Sequence, residues 1–301
     1  MAPVRSTFSL SIGKFLDGFR SSDVTGKGAI TGRPVNDQPL FVATGGHTSW
    51  SDRSGWVVHK FDPTYAPTSN TVGIGTTIGL WVRQGEAEVD ILVCGGGGGG
   101  GGKNNRGPGD RRGGGGGGGG GVVQLQQKTL SPGWYPITIG APGNKGFYEY
   151  CDGPRNGTSG EPSVFTHPDG PYEGGGGSGG GYADGPSSGG SSGSPQSESG
   201  GGSSRSGGGG GGAGGAGQNG PAPNGNGLQG GGAGGAGITS SITGSNVDYG
   251  QGGSGGQQCK NCGIGWPETP RTGGDTAPTS NNGFVIIAYP QDIAFIPEAE
   301  S

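Results

Sequence analysis

Gly-Gly-Ala-Gly-Gly-Ala-Gly occupies residues 211–217 and returns unchanged at 231–237. Around these copies lie five glycine segments of similar length. Gly95 to Gly102 and Gly113 to Gly121 are uninterrupted, and Gly174 to Gly181 is broken only by Ser178. Gly207 to Gly217 carries Ala213 and Ala216, and Gly230 to Gly237 carries Ala233 and Ala236. A flexible spacer has no reason to conserve length or to set alanines three residues apart. Three-fold extended helices have a reason for both: residues spaced by three fall on one edge, so the other two edges stay bare and can meet neighbouring backbones. The same spacing puts alanines on opposite faces of a strand, and so much glycine makes an α-helix very unfavourable.

Such a helix has no internal hydrogen bonds, so when buried its N–H and C=O groups must pair with adjacent chains. Eight to eleven residues at about 3.1 Å each give rods of roughly 25–34 Å that can stack with turns at both ends. Fixing each backbone costs about 1–2 kcal/mol, against about 0.5–1.5 kcal/mol net from a hydrogen bond. A lone run therefore stays disordered, and a bundle needs many rods and a template. A collagen reading fails, because most positions between the glycines are also glycine.

The template is predicted in the outer parts of the chain. Of 301 residues, 82 are Gly, and Leu, Ile, Val and Phe total 46, of which only eight lie in 141–282. Phe41-Val42-Ala43, Trp56 to Phe61, Ile78 to Val82, Glu88 to Cys94, Val122 to Leu125 and Pro136 to Ile139 are β-branched or aromatic runs bounded by turn residues. Gly283-Phe-Val-Ile-Ile-Ala-Tyr289 is a terminal strand whose hydrophobicity requires a sheet. Candidate partners lie in the first half, so the intervening residues are expected to leave and rejoin one sheet. The fold class is mainly β plus polyglycine II, with a β core from 36–140 and 283–290. The divisions are an arm at 1–35, the core with two rods at 36–140, the bundle at 141–282 and the closing strand and tail at 283–301. In the arm, Phe8, Leu10 and Ile12 alternate as in a strand, and Phe15, Leu16 and Phe19 suit a helical turn.

The net charge of −4 argues against nucleic acid as a general partner. No apolar stretch approaches membrane-spanning length, and the opening residues lack a signal peptide's apolar core, so the expectation is a protein made in a cytoplasm. Lys103 to Arg112 resembles the Arg-Gly-Gly segments of RNA-binding proteins but reads equally as a charged turn between rods. Cys259-Lys-Asn-Cys262 has zinc-knuckle spacing without a second pair, so Cys259 and Cys262 are weak metal candidates and the expected set of metals and cofactors is none. The three histidines are scattered, and neither a catalytic triad, a carboxylate pair nor a phosphate loop stands out, which predicts a non-enzyme. Asn156-Gly-Thr158 matches a glycosylation acceptor but lacks a secretory context.

Taken in order, Ala43-Thr-Gly-Gly46, Trp56 to Phe61, Glu88 to Cys94 running into glycine, Val122-Val123, Leu130 to Gly143 and Gly283 to Tyr289 resemble the glycine-rich domain of bacteriophage tail-fibre and adhesin proteins. That resemblance implies a virion structural protein of the tail or its fibres, assembled in the host cytoplasm, with 1–35 serving in attachment. It implies other tail or fibre proteins as partners, and a host glycan or outer-membrane protein met by loops between rods. The loops are read as 103–112, 152–173, 182–206, 218–229, 238–251 and 257–282. Tyr172, Tyr182, Tyr249 and Trp266 are their candidate receptor contacts, with capping of the rods as the alternative role. A secreted ice-binding polyglycine II protein is the alternative function.

Overall fold

The computed structural model describes residues 41–49, 53–63, 77–105, 110–147, 155–183, 187–202, 206–222, 227–260 and 282–291. The arm at 1–35, Trp266 and Cys262 lie outside them. In chain order the strands are β1 (Val42–Thr44), β2 (His47–Ser49), β3 (Trp56–Phe61), β4 (Thr77–Gln84), β5 (Ala87–Cys94), β6 (Asn104–Asn105) and β7 (Asp110–Arg112). There follow β8 (Val122–Leu130), β9 (Gly133–Thr138), β10 (Ser163–His167), β11 (Gly170–Gly174) and β12 (Gly227–Gln229). The last are β13 (Ile238–Ser240), β14 (Val247–Tyr249), β15 (Gln258–Lys260) and β16 (Phe284–Pro290). The described structure is mainly β, with almost no helix.

Two antiparallel five-stranded sheets pack face to face, in the orders β1-β4-β9-β10-β11 and β2-β3-β16-β5-β8. Their core is an alternating set: Leu80 and Val82 from β4, Tyr135 and Ile137 from β9 and Phe165 from β10 meet Val57, Val89, Ile91, Val93, Val285 and Ile287. The terminal strand joins a sheet of the first half, as its hydrophobicity requires. β16 inserts between β3 and β5, with Ile287 opposite both His59 and Ile91. It is buried on both faces, because Phe284, Ile286 and Ala288 point away from the sandwich into a second cluster with Leu92, Val122, Ile242, Tyr249 and Ala213. The large aliphatic and phenylalanine side chains among them each contribute about 1.5–3 kcal/mol of burial.

From the end of β5 the chain passes directly into Gly95, and Gly121 passes directly into β8. The β5–β8 ladder, whose last pair is Cys94 with Val122, thus continues between two glycine runs, but its period changes. The amides of Gly95, Gly98 and Gly101 donate to the carbonyls of Gly121, Gly118 and Gly115 at 2.8–3.0 Å, three residues apart. Gly121, Gly118 and Gly115 donate to Gly175, Ser178 and Gly181, which donate to Ser194, Ser191 and Ser188. Four segments are tied at three levels. A second direction runs from Gly96, Gly99 and Gly102 to Glu161, Thr158 and Arg155, and a third from Gly116 and Gly119 to Gly208 and Gly211.

Every residue of Gly95–Gly102 and Gly113–Gly121 is buried. A methyl group added at Gly98 or Gly118 would fall within 3.0 Å of the carbonyl oxygen of Ser178 or Ser191. Those oxygens are main chain and cannot swing aside. The innermost runs are therefore uninterrupted glycine for a steric reason, while residues with side chains enter on outer segments. At 231–237, Ala233 and Ala236 are exposed and Gly232 and Gly235 buried.

The other copy departs from the expected rod. Gly207–Gly217 is no single rod: Gly212 and Gly215 exchange amide hydrogen bonds at 2.9 and 3.1 Å, turning the chain at Ala213-Gly214. Ala213 is buried beneath Val58, Leu92 and Val122, whereas Ala216 is exposed. An identical heptapeptide turns here because the sandwich offers an apolar surface for one methyl group, which the 231–237 copy does not meet. The loop assignments also need correction. Residues 163–174 form the β10–β11 hairpin of the sandwich, and 238–249 form the β13–β14 hairpin against its outer sheet. Residues 155–161, 187–194 and 217–220 hydrogen-bond into the glycine array.

Candidate interaction surface

The array has two ends. At the near end Gly95, Gly121 and Gly175 adjoin β5, β8 and β11. Its turns are closed by specific contacts: the Gln196 side chain lies against Val122, accepting from its N–H at 2.9 Å and donating to its carbonyl at 2.6 Å, as a strand partner would. At the far end Gly101, Gly115 and Gly181 share a level, beyond which the chain forms the small sheet β12-β15-β7-β6. There β6 and β7 pair antiparallel, Asn104 with Arg112 and Asn105 with Arg111.

The candidate contact aromatics are not brought together. Tyr182 stands at the far end, where Arg155 Cζ lies 5.2 Å over its ring and its amide donates to Asn156 Oδ1 at 2.8 Å. Ala183 N–H donates to Gly102 O at 3.1 Å and Gly102 N–H to Arg155 O at 2.8 Å, so the run itself positions this cluster. Phe147, 46 % exposed, ends the outer segment whose Gly143 and Gly146 donate to Gly97 and Gly100. Tyr172 belongs to the sandwich: its ring is 6.1 Å from His167, with Lys128 Nζ 5.4 Å over it. Lys128 also binds Asp169 at 2.6 Å, a hydrogen bond that raises the Lys128 pKa and lowers that of Asp169. Tyr249 is 4 % exposed and packs 5.3 Å from Phe284, so it is a core residue, not a surface contact.

Cys259 lies on β15 opposite Arg111 and Leu228. Among the described residues there is no group of three His, Cys, Asp or Glu able to hold a metal. Cys94 is buried, its Sγ directed to Gly95 O at 3.7 Å. A cavity of about 250 Å³ lies between β5, β8 and the β13–β14 hairpin, lined by Arg53, Asp90, Gln124, Thr239 and Ile242. Its charges are matched internally: Arg53 meets Asp90 at 2.9 Å and lies over Trp56. His59 is held in the sandwich between Gly45 O at 2.7 Å and Tyr289 Oη at 2.9 Å, and burial lowers its pKa.

Among the described residues, the most exposed large apolar side chains are two tryptophans that lie on strands and not in loops. Trp81 and Trp134 are 51 % and 48 % exposed and directly opposite across β4 and β9. The sequence carries a signal for them: each sits out of phase with its strand's buried alternation, beside Leu80 and Val82 or Tyr135 and Ile137.

No curated protein matches the chain. A family model described as a glycine-rich domain matches residues 70–289, nearly three quarters of the chain, a span that contains β4 to β15 and all but the last residue of β16. The chain therefore belongs to the glycine-rich domain family.

Proposed function

We propose that this protein is a non-enzymatic structural component of a bacteriophage tail or tail fibre, in which a polyglycine II bundle rooted in a β-sandwich holds loops out toward the host surface. The observation that carries the bundle is the three-residue period of the cross-links from Gly95/Gly98/Gly101 through Gly115/Gly118/Gly121 to Gly175/Ser178/Gly181. Among the described residues, glycines with φ in the left-handed region fall outside the two uninterrupted runs, which is consistent with rods of one hand. Cross-linked main chains make a stiff scaffold with little sequence constraint at its far end, which suits display of variable loops. The tail assignment rests on the order of motifs from Ala43 to Tyr289 and on that architecture.

On this reading other virion tail or fibre proteins are the structural partners. A host glycan or outer-membrane protein meets the far end, where Phe147 and the Arg155–Tyr182 pair flank Gly102. The test is location. Antibody raised against the purified protein and carried on gold should label the tails of phage particles propagated on the source host, and its peptides should appear in the mass spectrum of purified particles. Particles lacking it would overturn the assignment. The exposed row Ala233 and Ala236 favours a second reading, ice binding by a regular small-residue face. Thermal hysteresis at micromolar protein would support that reading over the first.

A further inference from the structure

We propose that the outer face of the β1-β4-β9-β10-β11 sheet carries a carbohydrate-binding platform built on Trp134 and Trp81. Trp134 leans over Gly79: a methyl group at Gly79 would fall within 3.0 Å of its Cζ2 and Cη2 atoms. Gly79 is buried beneath this indole although it lies on the sheet's solvent side, while Trp134 itself is 48 % exposed. The Cζ2–Cη2 edge of the ring is thus seated over the Gly79 backbone while the residue stays half exposed. Trp81, its direct cross-strand neighbour, stands 5.9 Å away centroid to centroid and inclined by 55°, forming the second wall of an open V.

The surroundings decide the occupant. Pro136 extends the floor beside Gly79, but Thr44, opposite Trp81, and Arg83, two residues along β4, are exposed and polar. The apolar area is two indoles wide, well below the roughly 800 Å² per partner of a stable protein interface. A patch of that size, flat on one side and rimmed by hydrogen-bonding groups, fits a ligand whose ring presents C–H bonds on its face and hydroxyls at its edge. A pyranose has that arrangement: its face stacks on Trp134, its edge meets Trp81, and its hydroxyls reach Arg83 and Thr44. The chain's net charge of −4 disfavours the other stacking ligand, a nucleic acid base on its phosphate chain. The inference goes beyond the tail assignment and does not depend on it, since the platform lies on the sandwich and not among the far-end loops.

The test titrates the whole protein with cellohexaose, maltohexaose and chitohexaose, and separately with a proline-rich decapeptide and single-stranded DNA, following tryptophan fluorescence and amide NMR shifts of Trp81 and Trp134. At least one hexasaccharide should give saturable changes at these two residues. Trp134→Ala should weaken that binding at least about tenfold, and Trp134→Phe less, with the glycine amide spectrum unchanged in both to show that the fold is kept. No saturable change with any of the three sugars would overturn the proposal. So would equal binding by Trp134→Ala, or shifts at Trp81 and Trp134 produced by the peptide or DNA alone.

Discussion

The amide of Gly98 donates to the carbonyl of Gly118 at 2.8 Å, joining the middles of the two uninterrupted glycine runs where both are fully buried. Glycine at these positions is a packing requirement. The carbonyl of Ser191 occupies the place where a methyl group at Gly118 would stand. Gly118→Ala is expected to cost about 3 kcal/mol or more, since only main chain could move to make room. Ala233→Ser, on the exposed edge, should stay within about 0.5 kcal/mol. Urea unfolding of the two variants beside the parent measures both; equal effects would remove the distinction between inner and outer positions.

Gln196 closes the near end by standing in for a strand at Val122. Gln196→Ala should lower stability by about 1–3 kcal/mol through loss of both hydrogen bonds to part-buried backbone. Gln196→Glu, which keeps the acceptor and loses the donor, should fall between variant and parent in the same unfolding experiment.

Tyr249 and Tyr182 differ in environment: Tyr249 is a core residue, and Tyr182 is partly buried at the far end beneath Arg155. Tyr249→Ala removes a core ring against Phe284 and Ala213's cluster, and about 3–5 kcal/mol of stability should go with it. Tyr182→Ala should change stability by about 1 kcal/mol or less and instead reduce host-cell binding by the purified protein. Thermal melts paired with a cell-binding assay separate the two effects.

His59 gives the fold an acid-sensitive point. Its pKa is lowered in the folded state by burial, opposed by its hydrogen bond to Gly45, so the unfolded chain takes up the proton more readily. The stability it contributes is complete above about pH 6.5, the unfolded value, and is lost as pH falls from there through the folded value. The melting temperature should therefore decline between pH 6.5 and 5. In His59→Gln that decline should be shallower, although the variant starts lower at pH 7.5.

Much of this architecture is legible in the sequence because side chains carry patterns. The alternation in Glu88–Ile91 and the apolar runs Ile91–Cys94 and Phe284–Tyr289 specify a strand that passes from burial on one face to burial on both and one buried on both throughout, and β5 and β16 pair accordingly. Ala233 and Ala236 mark an outer edge for the same reason. Pure glycine carries no such mark. The turn at Ala213-Gly214 is set by what the sandwich places beneath Ala213, a tertiary fact that no local spacing records. The outer segments were hidden differently. Gly140, Gly143 and Gly146, with Gly157 and Gly160, repeat glycine every third residue where a chain has only one inward edge. That sparse period is easily lost among Pro, Asn, Lys and Thr. Trp81 and Trp134 lie on strands, and their exposure comes from strand phase and not from a loop position.

Main-chain hydrogen bonds tie the middle of the molecule, where few apolar side chains are buried. Amide hydrogen exchange resolved by NMR at Gly98, Gly101, Gly115 and Gly118 tests this most directly. These amides should exchange slower than an unstructured glycine by a factor on the order of a thousand or more, and in step with Ile286 of β16. Exchange at the unstructured rate, with Ile286 still protected, would contradict the account.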